Sequence, residues 1–195
     1  MPRVVDVDER RALLAAAVWR VIHREGLANA SVRKVAAEAQ VSMGSLRHYF
    51  STQNQLLQFS LQAVGERVTQ RLATLDLTGT PRQVAELVAL ELLPLDADRR
   101  AEVEIWIAFS AATLTDPDLR ALSDQSHEAL HTLLRTLVAD LLPPNSPDQD
   151  LDLETDRLHA LIDGLALHGA TTPTQTTPTR LQAALTHHLE HLARS

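Results

Sequence analysis

Cysteine is absent from this 195-residue chain. That absence excludes disulfide scaffolds, cysteine-ligated zinc sites and thiol catalysis, and it fits a reducing cytoplasm. Long apolar runs are also missing, because no stretch approaches the 18 uninterrupted apolar residues of a membrane span. The first residues, MPRVVDVDERR, carry acids and no apolar run, so we expect no signal peptide, no membrane partner and a cytoplasmic location.

Glycine and aromatic residues are scarce, at six glycines and 3% aromatics. β-rich folds usually need more turn glycines and more aromatic and β-branched side chains. Hydrophobic residues nevertheless make up 45% of the chain, and leucine and alanine dominate them. Disorder is therefore not expected to dominate, and the composition predicts an all-α fold.

The net charge of −7 is unevenly distributed along the chain. Residues 1–75 contain 10 Lys+Arg against 6 Asp+Glu, a balance of +4, whereas residues 76–195 contain 8 against 19, a balance of −11. A basic N-terminal third on an acidic remainder is expected when one end of a protein meets a polyanion.

Apolar periodicity and capping residues predict nine helices, separated by breaks rich in Pro, Asp or Thr. The clearest boundary in the first half is LDLTGTP at residues 75–81. We expect an N-terminal domain over residues 1–52, linked by the helix 52–75 to a C-terminal domain over 53–195. The predicted helices cover residues 8–25, 32–39, 43–50, 52–75, 81–93, 97–114, 117–142, 153–170 and 178–193.

Residues 32–50 combine a short helix, a tight turn and a second short helix, and an amphipathic helix precedes them. This order is typical of a helix-turn-helix DNA-binding unit. Ser42, Gly44 and Ser45 are small enough to let the second helix approach DNA closely, and Arg47 can present a bidentate fork to a guanine. An ordinary helical hairpin with a few surface polar residues would show the same general pattern.

The stretch ASVRKVAAEAQVSMGSLRHYFSTQNQLL, residues 30–57, resembles the DNA-binding signature of TetR-family transcriptional regulators. The form LRHYF resembles the branch of that family that includes the choline-responsive regulator BetI. The later stretch LLPLDADRRAEVEIWIAF and the triplet Asp163-Gly164-Leu165 resemble the ligand-binding domain of the same branch.

The resemblance implies a homodimer that binds double-stranded, palindromic operator DNA, usually as a repressor, and that a small-molecule effector releases without any cofactor. It implies that Arg33 touches a base or phosphate and that Tyr49 bonds a phosphate. Gln40 stands where the family usually has the turn glycine, so a left-handed non-glycine residue is expected there. Gln53 replaces a frequent lysine. The implied DNA-contact residues are Ser31, Arg33, Ser42, Gly44, Ser45, Arg47, His48 and Tyr49.

The predicted C-terminal domain supplies candidates for an effector pocket and a dimer interface. The effector candidates are Trp106, Phe109, His127 and His131, and the −11 charge favours a cationic over an anionic ligand. The last two helices carry two apolar stripes, with Gly169 permitting close approach, and the resemblance implies that they form a four-helix seam across a two-fold axis. The predicted interface residues are Leu158, Leu161, Ile162, Leu165, Leu181, Leu185, His188 and Leu192.

Two histidine patterns suggest other chemistry. Residues 127–131, HEALH, match the HExxH signature, in which two histidines on one helix face bind zinc and the glutamate acts as general base. His187, His188 and His191 also have metal-compatible spacing, although a polar position in a helix seam explains them without a metal. The alternatives to a DNA-binding regulator are therefore a zinc-dependent hydrolase and a helical adaptor that has lost DNA binding.

Overall fold

The computed structural model describes residues 7–47, 49, 50, 52–144 and 146–194. Within these ranges the chain forms nine α-helices, one short 3-10 helix and no strand, which confirms the predicted all-α fold. The α-helices are α1 Val7–Glu25, α2 Val32–Glu38, α3 Met43–Arg47, α4 Gln53–Ala73, α5 Pro81–Leu90, α6 Ala97–Thr113, α7 Pro117–Leu141, α8 Asp148–Thr171 and α9 Pro178–Leu192, and the 3-10 helix is Leu27–Asn29.

Helices α1, α2 and α3 pack with the first half of α4 around one apolar core, and we call this unit the head. Its centre is apolar, and its fully buried side chains come from all four helices. They include Leu14 and Val21 of α1, Val35 of α2, Leu46 of α3 and Leu56 of α4, each 0% exposed.

Helices α5, α7, α8 and α9 enclose a second apolar core, and α6 packs against α7 and α8; we call α5 to α9 together the body. Two helices join it to the head. The C-terminal half of α4 brings the half-buried Leu72 against the body core, and α6 sends Ile105 into the head core. Helix α4 also packs along α6, so a displacement of α6 would displace α4 and with it the head.

Most helix ends lie within two residues of the sequence-based bounds, but α5 ends at Leu90 instead of residue 93, because residues 91–93 form a turn, and α3 and α8 also differ. Helix α3 stops at Arg47 instead of residue 50, because the chain turns to bury Phe50 against the ring of Phe59 at a centroid distance of 5.3 Å. Helix α8 begins at Asp148, five residues early, since two acids in its first turn favour the positive end of the helix dipole.

Gly169 allows a close approach inside the subunit. A Cβ at this position would lie 2.6 Å from Pro94 Cγ and 2.7 Å from Leu181 Cδ1. The glycine therefore lets α8 contact α9 and the connection between α5 and α6, rather than a partner chain. Among the described residues, no helix combines the length and apolar character needed to cross a membrane.

Candidate DNA-binding surface and effector cavity

The turn between α2 and α3 is a Schellman motif built on a glutamine. Gln40 has φ +55°, its N–H donates to the Ala37 carbonyl at 3.2 Å, and the Val41 N–H donates to the Ala36 carbonyl at 3.0 Å. These two bonds satisfy carbonyls at the end of α2. The expectation of a left-handed non-glycine residue is confirmed, and it carries a steric cost that glycine would avoid.

Hydrogen bonds and one buried side chain fix the orientation of α3. The Ser42 hydroxyl caps the helix by accepting from the Ser45 N–H at 3.1 Å, and the Ser45 hydroxyl accepts from Arg10 Nη2 at 3.2 Å. Leu46 is fully buried, whereas Ser42 and Gly44 are exposed. Arg10, on α1, was missed by sequence reasoning because nothing local to α3 points to it.

The other predicted DNA contacts lie at the surface of the head. Arg33 and Arg47 are exposed and Tyr49 is 36% exposed, while the half-buried Ser31 uses its hydroxyl to cap α2. Neither arginine has a hydrogen bond or ion pair to another described residue. His48 falls outside the described residues.

Three other cations of the head are neutralised by two glutamates. Glu38 accepts from Arg20 at 2.6 Å and from Arg24 at 2.9 Å, and Glu25 binds Lys34 at 2.6 Å. These hydrogen bonds lower the pKa of both carboxyls, so the carboxylates remain ionised. Lys34 is thus held in an ion pair on the side of the head.

Two adjoining cavities, of about 180 Å³ and about 260 Å³, lie between α4, α6, α7 and α8. Trp106 and Leu130 are apolar members of the wall between them, and Ser126 and Asp163 are polar members that both cavities share. We call the pair the cavity. Its lining is largely apolar with a few polar groups, the usual character of a small-molecule site.

Three of the four predicted effector residues line the cavity. Trp106, Phe109 and His127 come together in its larger part. His131 is outside the lining, and its Nε2 lies 3.2 Å from Asp156 Oδ1 on the outer side of α7 and α8. His131 therefore lies next to the cavity, but its side chain contacts the exposed Asp156 instead of the cavity.

Sequence reasoning missed His159, which lies beside Asp163 on α8. His159 is 5% exposed, its ring stacks on His127 at a centroid distance of 4.5 Å, and its Nε2 lies 3.9 Å from Asp163 Oδ2. Burial lowers the pKa of His159 and raises the pKa of Asp163. Their i, i+4 spacing was the signal available in the sequence.

The opposite wall of the cavity holds Glu91, Arg99 and Glu102. Glu102 is only 4% exposed, and it accepts from Arg71 Nη1 at 2.7 Å, from Arg71 Nη2 at 2.6 Å and from Arg67 Nε at 3.1 Å. The bonds to Glu102 raise the pKa of Arg71 and so lock its positive charge. Arg99 binds Glu91 at 3.2 Å.

The histidine patterns do not form a metal centre in the part of the chain that the structure describes. The His127 and His131 rings of HEALH have centroids 6.3 Å apart, and His131 Nε2 lies 3.2 Å from Asp156 Oδ1. Glu128 of HEALH is exposed. In the second pattern, His188 Nε2 is buried without a partner among the described residues, and burial lowers the pKa of this histidine.

The structure corrects the residue-level dimer prediction for five of its eight members. Their side chains are already buried within the body, so they have no surface left to bury against a partner. Leu161, Leu165 and His188 stay half-buried, while the outer face of α8 exposes Leu153 at 57% and Leu167 at 39%. The five buried residues are Leu158, Ile162, Leu181, Leu185 and Leu192.

Two family models match separate parts of the chain. Residues 13–58 match the model described as bacterial regulatory proteins, tetR family, and residues 81–194 match the BetI-type transcriptional repressor C-terminal model. The chain is also 38% identical over 200 residues to the HTH-type transcriptional regulator PksA of Bacillus subtilis, covering 98% of this chain and 94% of that protein.

Solved structures agree with the family matches. A transcriptional regulator from Rhodococcus sp. Rha1 superposes with a TM-score of 0.80 at 29% identity, over 94% of this chain and 96% of that one. The multidrug binding protein EbrR complexed with ethidium superposes with a TM-score of 0.66 at 26% identity, over 92% and 98% of the two chains.

Proposed function

The chain belongs to the TetR family of bacterial transcriptional regulators, and from that premise we propose that it is a repressor that an organic cation releases from operator DNA. A ligand-responsive DNA-binding regulator is what its relatives are, and they are not enzymes. Family membership therefore argues against both alternative hypotheses, a zinc hydrolase built on residues 127–131 and an adaptor without DNA binding.

The observation that carries the DNA-binding part is the pair of exposed arginines on α2 and α3. Arg47 follows Leu46, which anchors α3 to the head core, so a rigid element presents its guanidinium outward. We assign base reading in the major groove to Arg47, and phosphate contacts to Arg33 and Tyr49. Ser31, Ser42, Gly44, Ser45 and His48 complete the proposed surface.

Two subunits would meet through the outer faces of α8 and α9. The exposed Leu153 and Leu167 would be covered there, and Gly164 between them has open space above its Cα, which favours close helix packing. Two heads held by such a seam would read two halves of a palindrome. We keep residues 1–52 as the DNA-binding domain and 53–195 as the effector and dimerisation domain.

The cavity favours an apolar molecule that carries a positive charge. Both carboxylates of its far wall are held by arginines, whereas the ion pair of Asp163 with Nε2 of His159 is long, at 3.9 Å. A cation next to Asp163 and the Trp106 ring would gain both ion pairing and cation–π attraction. Ethidium, the ligand named for the similar protein EbrR, is also an aromatic cation.

Release would follow from a difference in affinity between two conformations. An effector that binds better to the subunit whose heads do not match successive major grooves shifts the population away from the DNA-bound form. No direct contact between effector and DNA is then needed, because α4 and α6 join the cavity to the head.

Operator selection tests the DNA-binding part. Purified protein is used to enrich binders from a randomised duplex pool, and the enriched sequences are read. We expect a palindrome with half-sites about one helical turn apart, or a multiple of it. Enrichment without any shared sequence would contradict a sequence-specific regulator.

Tryptophan emission tests the effector part with benzyltrimethylammonium and, as its neutral isostere, neopentylbenzene. The tryptophan emission should respond to the cation and not to the isostere, and Asp163→Asn should weaken the response. A chain in which both probes act alike would contradict recognition by charge.

A further inference from the structure

A single arginine of α4 connects the cavity wall to the DNA-binding head. The guanidinium carbon of Arg67 lies 4.1 Å from the ring centroid of Trp19, on α1. On its other side, Arg67 Nε donates to Glu102 Oε1 at 3.1 Å and Nη2 donates to Asp98 Oδ2 at 3.3 Å, both on α6. Arg67 therefore bridges three helices at the junction of head and body.

The far end of this bridge belongs to the cavity. Glu102 lines the cavity and is buried, so its carboxylate depends on Arg67 and Arg71 for compensation of its charge. Arg71 in turn joins Glu102 to Glu91, which also lines the cavity. A charge that enters the cavity thus acts on a carboxylate that is one contact away from Arg67 and two from Trp19.

We propose that Arg67 is a positioning residue for DNA binding, and that it transmits the state of the cavity to α1 through the path Glu102–Arg67–Trp19. This inference rests on the proposed effector cavity. A positive group bound beside Asp163 repels the guanidinium of Arg67 across the cavity and weakens its bond to Glu102, so Arg67 is held less firmly over the Trp19 ring. The contact between α1 and α4 is weakened, and the head is freed from its position on the body.

The path is a chain of discrete contacts instead of general packing. Glu102 and Trp19 act on each other through the guanidinium of Arg67, so removing Arg67 should uncouple them. If Arg67 only stabilised the fold, a change at Glu102 would not alter the fluorescence emission of Trp19. That difference decides the experiment.

The chain has only two tryptophans, Trp19 and Trp106, which makes the path observable without DNA or effector. In a Trp106→Phe background, Trp19 is the only indole. We expect Glu102→Gln to shift Trp19 emission, and Arg67→Met to shift it too. Glu102→Gln should then add nothing to Arg67→Met. Unchanged Trp19 emission in Glu102→Gln would overturn the path. A double variant whose emission shift equals the sum of the two single-variant shifts would overturn it as well.

Operator affinity supplies the functional readout. We expect Arg67→Met to weaken binding to the selected operator about 5-fold or more, and Arg67→Lys to restore part of the loss because it keeps the charge. Arg82→Met is the matched control, since it breaks the Arg82–Glu86 pair within α5 at 2.7 Å, away from the path. The control should bind as wild type does.

The outcomes separate the two proposals. If the wild-type protein shows no preference for any DNA sequence, the proposed function fails. If the wild type binds its operator while Arg67→Met binds equally well, the path is wrong and the function stands. Should circular dichroism show that Glu102→Gln does not fold, the comparison of Arg67→Met with Arg67→Lys, in emission and in affinity, still decides.

Discussion

The head and the body use their arginines differently. All eight arginines of residues 76–195 have an acceptor within the subunit, either a carboxylate or a backbone carbonyl. In the head, Arg33 and Arg47 have none among the described residues. The body thus uses its positive charge to hold its own helices, whereas the head leaves charge available on the helix-turn-helix.

The comparison explains why net charge alone is a poor guide to the partner. A net charge of −7 disfavours a polyanion on average, yet 19 of the acids belong to residues 76–195, where arginines neutralise several of them. Local, unpaired cations decide phosphate binding, because contacts with DNA phosphates are short-ranged at physiological salt.

The largest expected effect is a loss of folding stability in the body, caused by a substitution that does not touch the head. Leu185 is fully buried in the body core, so Leu185→Arg places an unpaired charge there and should cost about 3–5 kcal/mol of folding free energy. Chemical denaturation followed by circular dichroism measures the loss. Wild-type stability for this variant would mean that Leu185 is not in a subunit core.

Leu167→Arg tests the interface without that burial cost, because Leu167 is already 39% exposed on α8. Sedimentation should show monomers with native helix content. Leu114→Arg, at a 78% exposed leucine that closes α6, is the control and should stay dimeric. A dimeric Leu167→Arg protein would move the interface off this face of α8.

The body should lose stability as the solution is acidified. Burial lowers the pKa of His159 and of His188, so the unfolded chain takes up these protons first, near its ordinary histidine pKa of about 6.5. The stability that neutral histidines contribute is complete above that pH and is lost as pH falls from there towards the lower, folded-state pKa. Thermal unfolding between about pH 7.5 and pH 5.5 measures the slope.

Replacing His159 with glutamine should flatten that slope, and replacing His188 as well should remove most of the rest. Asp163 has the opposite sign, because its pKa is raised and the folded state gains protons there more readily than the unfolded chain. The exposed His168→Gln serves as control. A slope that survives both replacements would assign the acid sensitivity to other groups, of which His127, His131 and Asp156 face His159.

The smallest expected effect concerns the turn of the head. Gln40→Gly should stabilise the protein by about 0.5–1 kcal/mol, because glycine adopts φ +55° without a Cβ clash. Ala37→Gly, three residues earlier in α2, should instead cost about 1 kcal/mol. Denaturation midpoints of the two variants should therefore move in opposite directions, and a shared direction would contradict the strain at Gln40.

Much of the fold could be predicted from the sequence because its signals are local. Ser31 and Ser42 cap the predicted helices, and the need for a left-handed Gln40 follows from the turn itself. The dimer interface could not be predicted residue by residue, and the reason is physical. An apolar stripe indicates that a helix face is buried, but not whether its own subunit or a partner buries it. Leu181 and Leu185 are buried by their own subunit.

The residues that line the cavity could likewise be predicted only in part. The family resemblance places an effector pocket near Trp106 and Phe109, but the stacking of His159 on His127 and the ion pair of Glu102 with Arg67 join residues distant in sequence. Glu102 meets Arg67 across 35 positions, and no local pattern marks such a pair.

The central claim is that α3 of the head reads the operator through Arg47. Fluorescence anisotropy gives the ratio of affinities for the selected operator and a scrambled duplex, in wild type, Arg47→Ala and the control Arg120→Ala, an exposed arginine of the body. We predict that Arg47→Ala loses about 1–3 kcal/mol per half-site and relaxes the preference at one operator position, while Arg120→Ala keeps the wild-type ratio. A folded, dimeric Arg47→Ala protein that retains the full wild-type preference would contradict this account.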